Sequence, residues 1–206
     1  MIAFRRTSTL LLILVPALLG LSCSVLQGIE QAMTNLSRCK FKLDSVNEFS
    51  LAGIPLASKS RFTVADGAKL VAGFAQNDLT ASFTLNVAAV NPNDGTGGTL
   101  ASSATMTSFA WTLLLDSAVT VKGDIASPIT IPGTGQQAII PLKIQLNLAQ
   151  FLKDKGYEHI LNLALALGGA GGSPGRITLR AKPTIQTDFG PITYPGEIDI
   201  VNKEFR

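Results

Sequence analysis

The sequence predicts a mainly β fold, an antiparallel sandwich with one or two short helices, and three observations carry that reading. Apolar and polar residues alternate with period two through several runs, the pattern of strands that bury one face. Clusters of Pro, Gly, Asn and Asp separate those runs and break them into short strands. The chain has 206 residues, 46% hydrophobic and only 15% charged, enough apolar material for a sizeable core and too little charge for disorder.

The chain opens on a targeting segment. Arg5 and Arg6 form a positive region, and Leu10 to Leu19 is apolar apart from Pro16. This run is shorter than the roughly 20 residues that span a bilayer, which favours a cleaved export signal over a permanent anchor. The run ends in Leu19-Gly20-Leu21-Ser22-Cys23, which resembles a bacterial lipoprotein processing box. The resemblance implies cleavage after residue 22 and acylation of Cys23, and two or three acyl chains would anchor the protein durably. Ordinary cleavage nearby, with Cys23 unmodified, is the alternative. Removing residues 1–22 takes away Arg5 and Arg6 and no acid, so 15 basic side chains face 14 acidic ones and the net charge falls from +3 to +1. The apparent basicity is therefore largely export signal. The remaining basic residues are dispersed without interleaved aromatics, so no nucleic-acid partner is expected.

The expected organisation is a signal over 1–22, a tether over 23–37 and one sandwich domain over 38–206. If Cys23 is acylated through sulfur, Cys39 is a lone thiol, and its alternating apolar setting makes it a buried core residue. Cys39, Phe41 and Leu43 then share one strand face. Leu79, Ala81, Phe83, Leu85, Val87 and Ala89 form the next, opposite Thr80, Ser82, Thr84 and Asn86. Phe109, Trp111, Leu113 and Leu115 follow, then Ala138, Ile140, Leu142, Ile144 and Leu146, then Ile177, Leu179 and Ala181, with Ile198 and Ile200 last. Turns are expected at Asn91-Pro92-Asn93-Asp94-Gly95, Lys122-Gly123-Asp124, Pro132-Gly133-Thr134-Gly135 and Phe189-Gly190-Pro191. A short helix is expected over Ala65 to Phe74, with Asp66 as N-cap and Leu70, Val71 and Phe74 on one side. A longer one is expected over Leu148 to Leu167, interrupted at Gly156, with a buried strand over Ile160–Leu167 as the competing assignment.

Little in the sequence points to catalysis, and no catalytic residue, cofactor or metal site is expected. One His and two Cys are too few for most zinc sites. Gly168 to Gly175 lacks the Lys-Ser/Thr of a phosphate-binding loop and precedes a strand, so it reads as a connection. Asp94-Gly95-Thr96-Gly97 has no second copy with which to share a proton. His159 sits in a polar helix junction and reads as an exposed side chain. In Asn91-Pro92-Asn93, Pro92 must stop or bend its strand while the Asn side chains bond the backbone of the turn, a structural role weighed against ligand binding.

From Cys39 to Ile200 the chain resembles the type 2 late-embryogenesis-abundant (LEA type 2, or WHy) family. The carrying feature is the alternating run from Leu79 to Val90 that ends in Asn91-Pro92-Asn93. Phe109-Ala110-Trp111-Thr112-Leu113, Ile129-Thr130-Ile131-Pro132-Gly133, Ile139-Ile140-Pro141-Leu142 and the tail from Gly190 to Ile198 support it, while Asp94 to Gly98 departs from the family's usual apolar residues. The resemblance implies an immunoglobulin- or fibronectin-like sandwich without known catalysis. The resulting expectation is a non-enzymatic, membrane-anchored lipoprotein of the bacterial cell envelope that acts in binding or stress protection. Its partner is the membrane through Cys23, facing the periplasm and favouring the outer membrane, since Ser24 replaces the Asp that retains enteric lipoproteins at the inner membrane. The alternative is a lipid-binding or lipid-transfer module, with Leu148–Leu167 covering an apolar groove; no protein partner is read from the sequence.

Overall fold

The computed structural model describes residues 24–56, 63–96, 101–115, 118–151 and 177–200. Residues 24–38 form helix α1. Then come β1 (Lys40–Leu51), β2 (Ile54–Pro55), α2 (Val64–Ala75), β3 (Thr80–Val90), β4 (Ala104–Leu115), β5 (Ala118–Gly123) and β6 (Ile129–Ile131). β7 (Gln137–Asn147), α3 (Leu148–Phe151), β8 (Ile177–Thr187), β9 (Gly190–Thr193) and β10 (Ile198–Ile200) complete the order.

Two antiparallel sheets result, one ordered β2-β1-β3-β7 and the other β10-β8-β4-β5, with β6 also on β4 and β9 on β8. The sandwich expected from the alternation is the observed architecture. Along β3, Ala81, Phe83, Leu85, Val87 and Ala89 are buried while the intervening Thr80, Ser82, Thr84 and Asn86 are half-exposed. β7 runs beside it in unbroken register from Thr80↔Asn147 to Val90↔Gln137, burying Ile140, Leu142, Ile144 and Leu146. From the facing sheet, Phe109, Trp111, Leu113, Leu179 and Ala181 close the core. The rings of Phe41 and Phe109 meet across the layers at 5.5 Å, and Phe49 stacks on Phe83 at 5.7 Å, both within the range for favourable aromatic pairs.

One edge of β4 is shared by two short strands, β5 against its second half and β6 against its first. The backbone between them would lack a partner, and Asp124 supplies one: its carboxylate accepts from the Phe109 and Ile125 N–H groups and from the Ser108 hydroxyl. Trp111 is the cross-strand partner of Gly123, and a β-carbon at Gly123 would overlap the indole, so the glycine makes room for the ring.

Three local expectations change. Residues 24–37, read as a tether, are helical and docked: Leu36 is buried, with Ile29, Ala32 and Met33 packed on the core. These four stand at i, i+3, i+4 and i+7, a helical stripe that overrides the segment's mixed polarity. In α2 the N-cap is Thr63, not Asp66. Asp66 is the third helical residue, and its carboxylate accepts from the Thr63 N–H and hydroxyl while its own N–H donates to Thr63 Oγ1, a reciprocal capping box. On the same helix Leu70 is buried, but Val71 and Phe74 are exposed, so the expected apolar side is narrower than the sequence pattern. The predicted Leu148–Leu167 helix is seen over Leu148–Phe151 only; its remainder, His159 and the Gly168–Gly175 run lie outside the described residues, as do Cys23 and Gly97.

Candidate functional site

The most elaborate polar construction lies at one end of the sandwich, where β3 stops at Asn91-Pro92-Asn93. Both asparagines are buried, Asn91 fully and Asn93 to 1% exposure, an unusual position for side chains with four hydrogen-bonding sites each. Asn91 Nδ2 donates to the carbonyls of Ser102 (2.7 Å) and Ile131 (3.2 Å). Asn91 Oδ1 accepts from the Asn93 N–H (3.1 Å) and from Asn93 Nδ2 (2.7 Å). The backbone joins in, with Gly135 N–H donating to the Asn91 carbonyl and Ser102 N–H to that of Asn93. The asparagine pair thus ties the β3 exit to the strand entering β4 and to the turn after β6. Side-chain bonding to turn backbone was legible in the sequence; its reach over three separate segments was not.

Gly133 is part of the same junction. A β-carbon there would overlap the carbonyl oxygens of Ser102 and Asn93, so the turn can approach only because this residue is glycine.

α1 is fastened to the junction from outside. Asn93 Nδ2 donates a second bond, 2.9 Å, to the Asn35 carbonyl. Both partners of Asn93 Nδ2 are acceptors, which fixes the amide orientation and leaves Asn93 Oδ1 buried without a partner among the described residues. Beneath the last turn of α1, Cys39 is 4% exposed, and its Sγ donates to the Asn35 carbonyl at 3.6 Å. Burial pushes the Cys39 thiol up to about 11, so it stays a neutral core group. Elsewhere along α1 the Phe189 ring, from the turn between β8 and β9, lies directly on Gly28, where a β-carbon would overlap it.

These pieces enclose an open cleft of about 490 Å³ between α1, the asparagine junction and the β8–β9 turn. Gln31 and Asn35 from α1, Asn93, Gln186 and Phe189 are among its walls. Its size falls within the range of small-molecule sites. Among the described residues of its lining Asp188 is the one ionisable side chain, and the contacts these residues offer are mainly amide and aromatic. The neighbouring Asp94 is exposed; its carboxylate accepts from the Thr96 hydroxyl and N–H, which hold it below the usual carboxylate range. These bonds make an Asx turn, the structural form of the Asp94-Gly95-Thr96 motif. Among the described residues, no three His, Cys, Asp or Glu side chains gather as a metal site would need.

Fold and site together define an antiparallel β-sandwich domain carrying a docked amino-terminal helix and an amide-lined terminal cleft. No family model and no curated protein sequence matches the chain. Among solved structures it is similar to a crystal structure of a protein from Archaeoglobus fulgidus, at 16% identity and a TM-score of 0.35, over 79% of this chain and 99% of that one. It is also similar to the solution structure of a candidate late-embryogenesis-abundant protein, at 12% identity and a TM-score of 0.38, over 92% of this chain and 89% of that one. At these values neither similarity carries weight for family or activity. The cleft residues Gly28, Asn35 and Phe189 were not identifiable in the sequence, because each acquires its meaning from residues distant in the chain.

Proposed function

We propose that the chain is a lipid-anchored protein of the bacterial cell envelope whose LEA type 2-like sandwich works by binding rather than catalysis. The observation that carries this reading is Cys23, placed at the end of an apolar export segment and directly before α1. Acyl chains on that cysteine would hold the domain close to the bilayer, since the next residue is already in a helix that docks on the sandwich. The Asn91-Pro92-Asn93 motif supports the LEA type 2 part of the reading, and the amide-lined cleft supports binding. Ser24 after the anchor favours the periplasmic face of the outer membrane.

Mass analysis of the mature amino terminus tests this. The expected result is a chain starting at Cys23 with the added mass of two or three acyl groups, and loss of that added mass in Cys23→Ala. A mature chain with an unmodified Cys23, or one that retains residues 1–22, overturns the anchor.

A further inference from the structure

We propose that Val25, Leu26 and Phe189 form a membrane-contact surface that dips into the lipid interface beside the anchor. This rests on the reading of Cys23 as acylated.

Single exposed apolar residues are common on protein surfaces, so position has to carry the argument. Val25 is 42% exposed, Leu26 60% and Phe189 48%. Val25 and Leu26 are helical and stand two and three residues after Cys23 in the sequence. At 1.5 Å of rise per residue, Gly28 lies about 6 Å along the helix from Ser24. The Phe189 ring is seated on Gly28, so a side chain distant in the sequence is held two to three residues along the helix from Val25 and Leu26. Interfacial segments bury their apolar faces about 5–10 Å into the headgroup and acyl boundary. With α1 standing end-on to the bilayer, as the proposal requires, acyl chains on Cys23 bring all three side chains within that depth. Val64, Val71, Phe74 and Ile139 are also exposed, but they neither follow Cys23 in the chain nor, as Phe189 does, border a glycine of α1.

The charges around the patch define the kind of lipid surface it fits. Glu30 on α1 and Asp188 beside Phe189 are both exposed acids. These two acids offer anionic headgroups no attraction, so the proposed contact is one of apolar burial that needs neither anionic lipid nor low salt.

The test uses the full acylated protein in phosphatidylcholine vesicles whose acyl chains carry bromine, which quenches nearby indoles. Trp111 is the chain's single tryptophan and is buried, so it supplies a constant background. Phe189→Trp, and separately Leu26→Trp in case the first variant misfolds, place an indole in the patch. The expected result is quenching of the new indole at least about twofold stronger than that of Trp111 in the parent, unchanged in about 1 M salt, where charges are screened within about 3 Å. Acylated, vesicle-bound protein in which both new indoles are quenched no more than Trp111 overturns the contact surface alone. An amino terminus without acyl mass overturns the anchor and the surface with it.

Discussion

Replacing Asn91 by alanine removes four side-chain hydrogen bonds from the interior at once, two donated by Nδ2 and two accepted by Oδ1. The Ser102 and Ile131 carbonyls and the Asn93 N–H lose these partners at a site with no solvent access to Asn91. A buried hydrogen bond contributes about 1 kcal/mol net, and a stranded partner adds about 1–3 kcal/mol. Some of the loss is recovered, because Asn93 Nδ2 keeps its bond to the Asn35 carbonyl. The expected destabilisation is about 3–5 kcal/mol, a large part of the 5–15 kcal/mol typical of a folded domain. For a chain of this size that corresponds to a fall in Tm of roughly 6–20 °C. Urea denaturation of the mature chain carrying Cys23→Ala, followed by Trp111 fluorescence, measures it against Asn47→Ala on the exposed side of β1, which should change stability by under about 0.5 kcal/mol. A loss below about 1 kcal/mol for Asn91→Ala would refute the view of this residue as the fastening of the sandwich end.

Gly133→Ala should destabilise by about 2–3 kcal/mol in the same assay, because the added methyl meets two carbonyl oxygens, while Gly196→Ala, where nothing lies within 4 Å, should be nearly neutral. Thr63→Ala should weaken α2 by about 1 kcal/mol, seen as faster amide exchange over residues 64–67 while the β3 amides keep their protection. The raised Cys39 value carries a sign: the folded state keeps a proton that the unfolded chain releases above about pH 9. Stability is therefore full below pH 9.0 and declines as pH rises toward about 11, by about 2–3 kcal/mol, and comparison with Cys39→Ala isolates this contribution. Below pH 9 the native thiol should also resist thiol reagents until urea exposes it.

Strands were the most legible part of this sequence, because a sheet with one buried face writes its period directly into the residues. Where backbone irregularity intervenes the period fails: Leu113, Leu114 and Leu115 are all buried, and the register of β4 with β5 shifts between Leu113 and Leu114. The expected α2 began within one residue of the observed start, but its cap falls at Thr63 and not at Asp66, three residues on, because Asp serves equally as an N-cap and as the acidic partner in a capping box, and only Thr63 distinguishes the two. The stripe through Ile29, Ala32, Met33 and Leu36 was present in the sequence but masked by its polar neighbours. Of the cleft only the Asn91-Pro92-Asn93 turn was legible: Gly28, Asn35 and Phe189 are ordinary locally, and become walls of a site only when distant chain segments meet.

β7 is an edge strand whose single neighbour among the described residues is β3, and it carries Pro141 opposite Asn86 and an exposed Lys143. A proline offers no N–H to an incoming strand, and a lysine resists burial there. Confinement to a membrane would crowd such domains into two dimensions, with their sheets held in similar orientations, the arrangement in which bare edges polymerise most readily. Pro141 and Lys143 guard that edge, so under the proposed anchoring a dense lawn of these molecules would not join through β7.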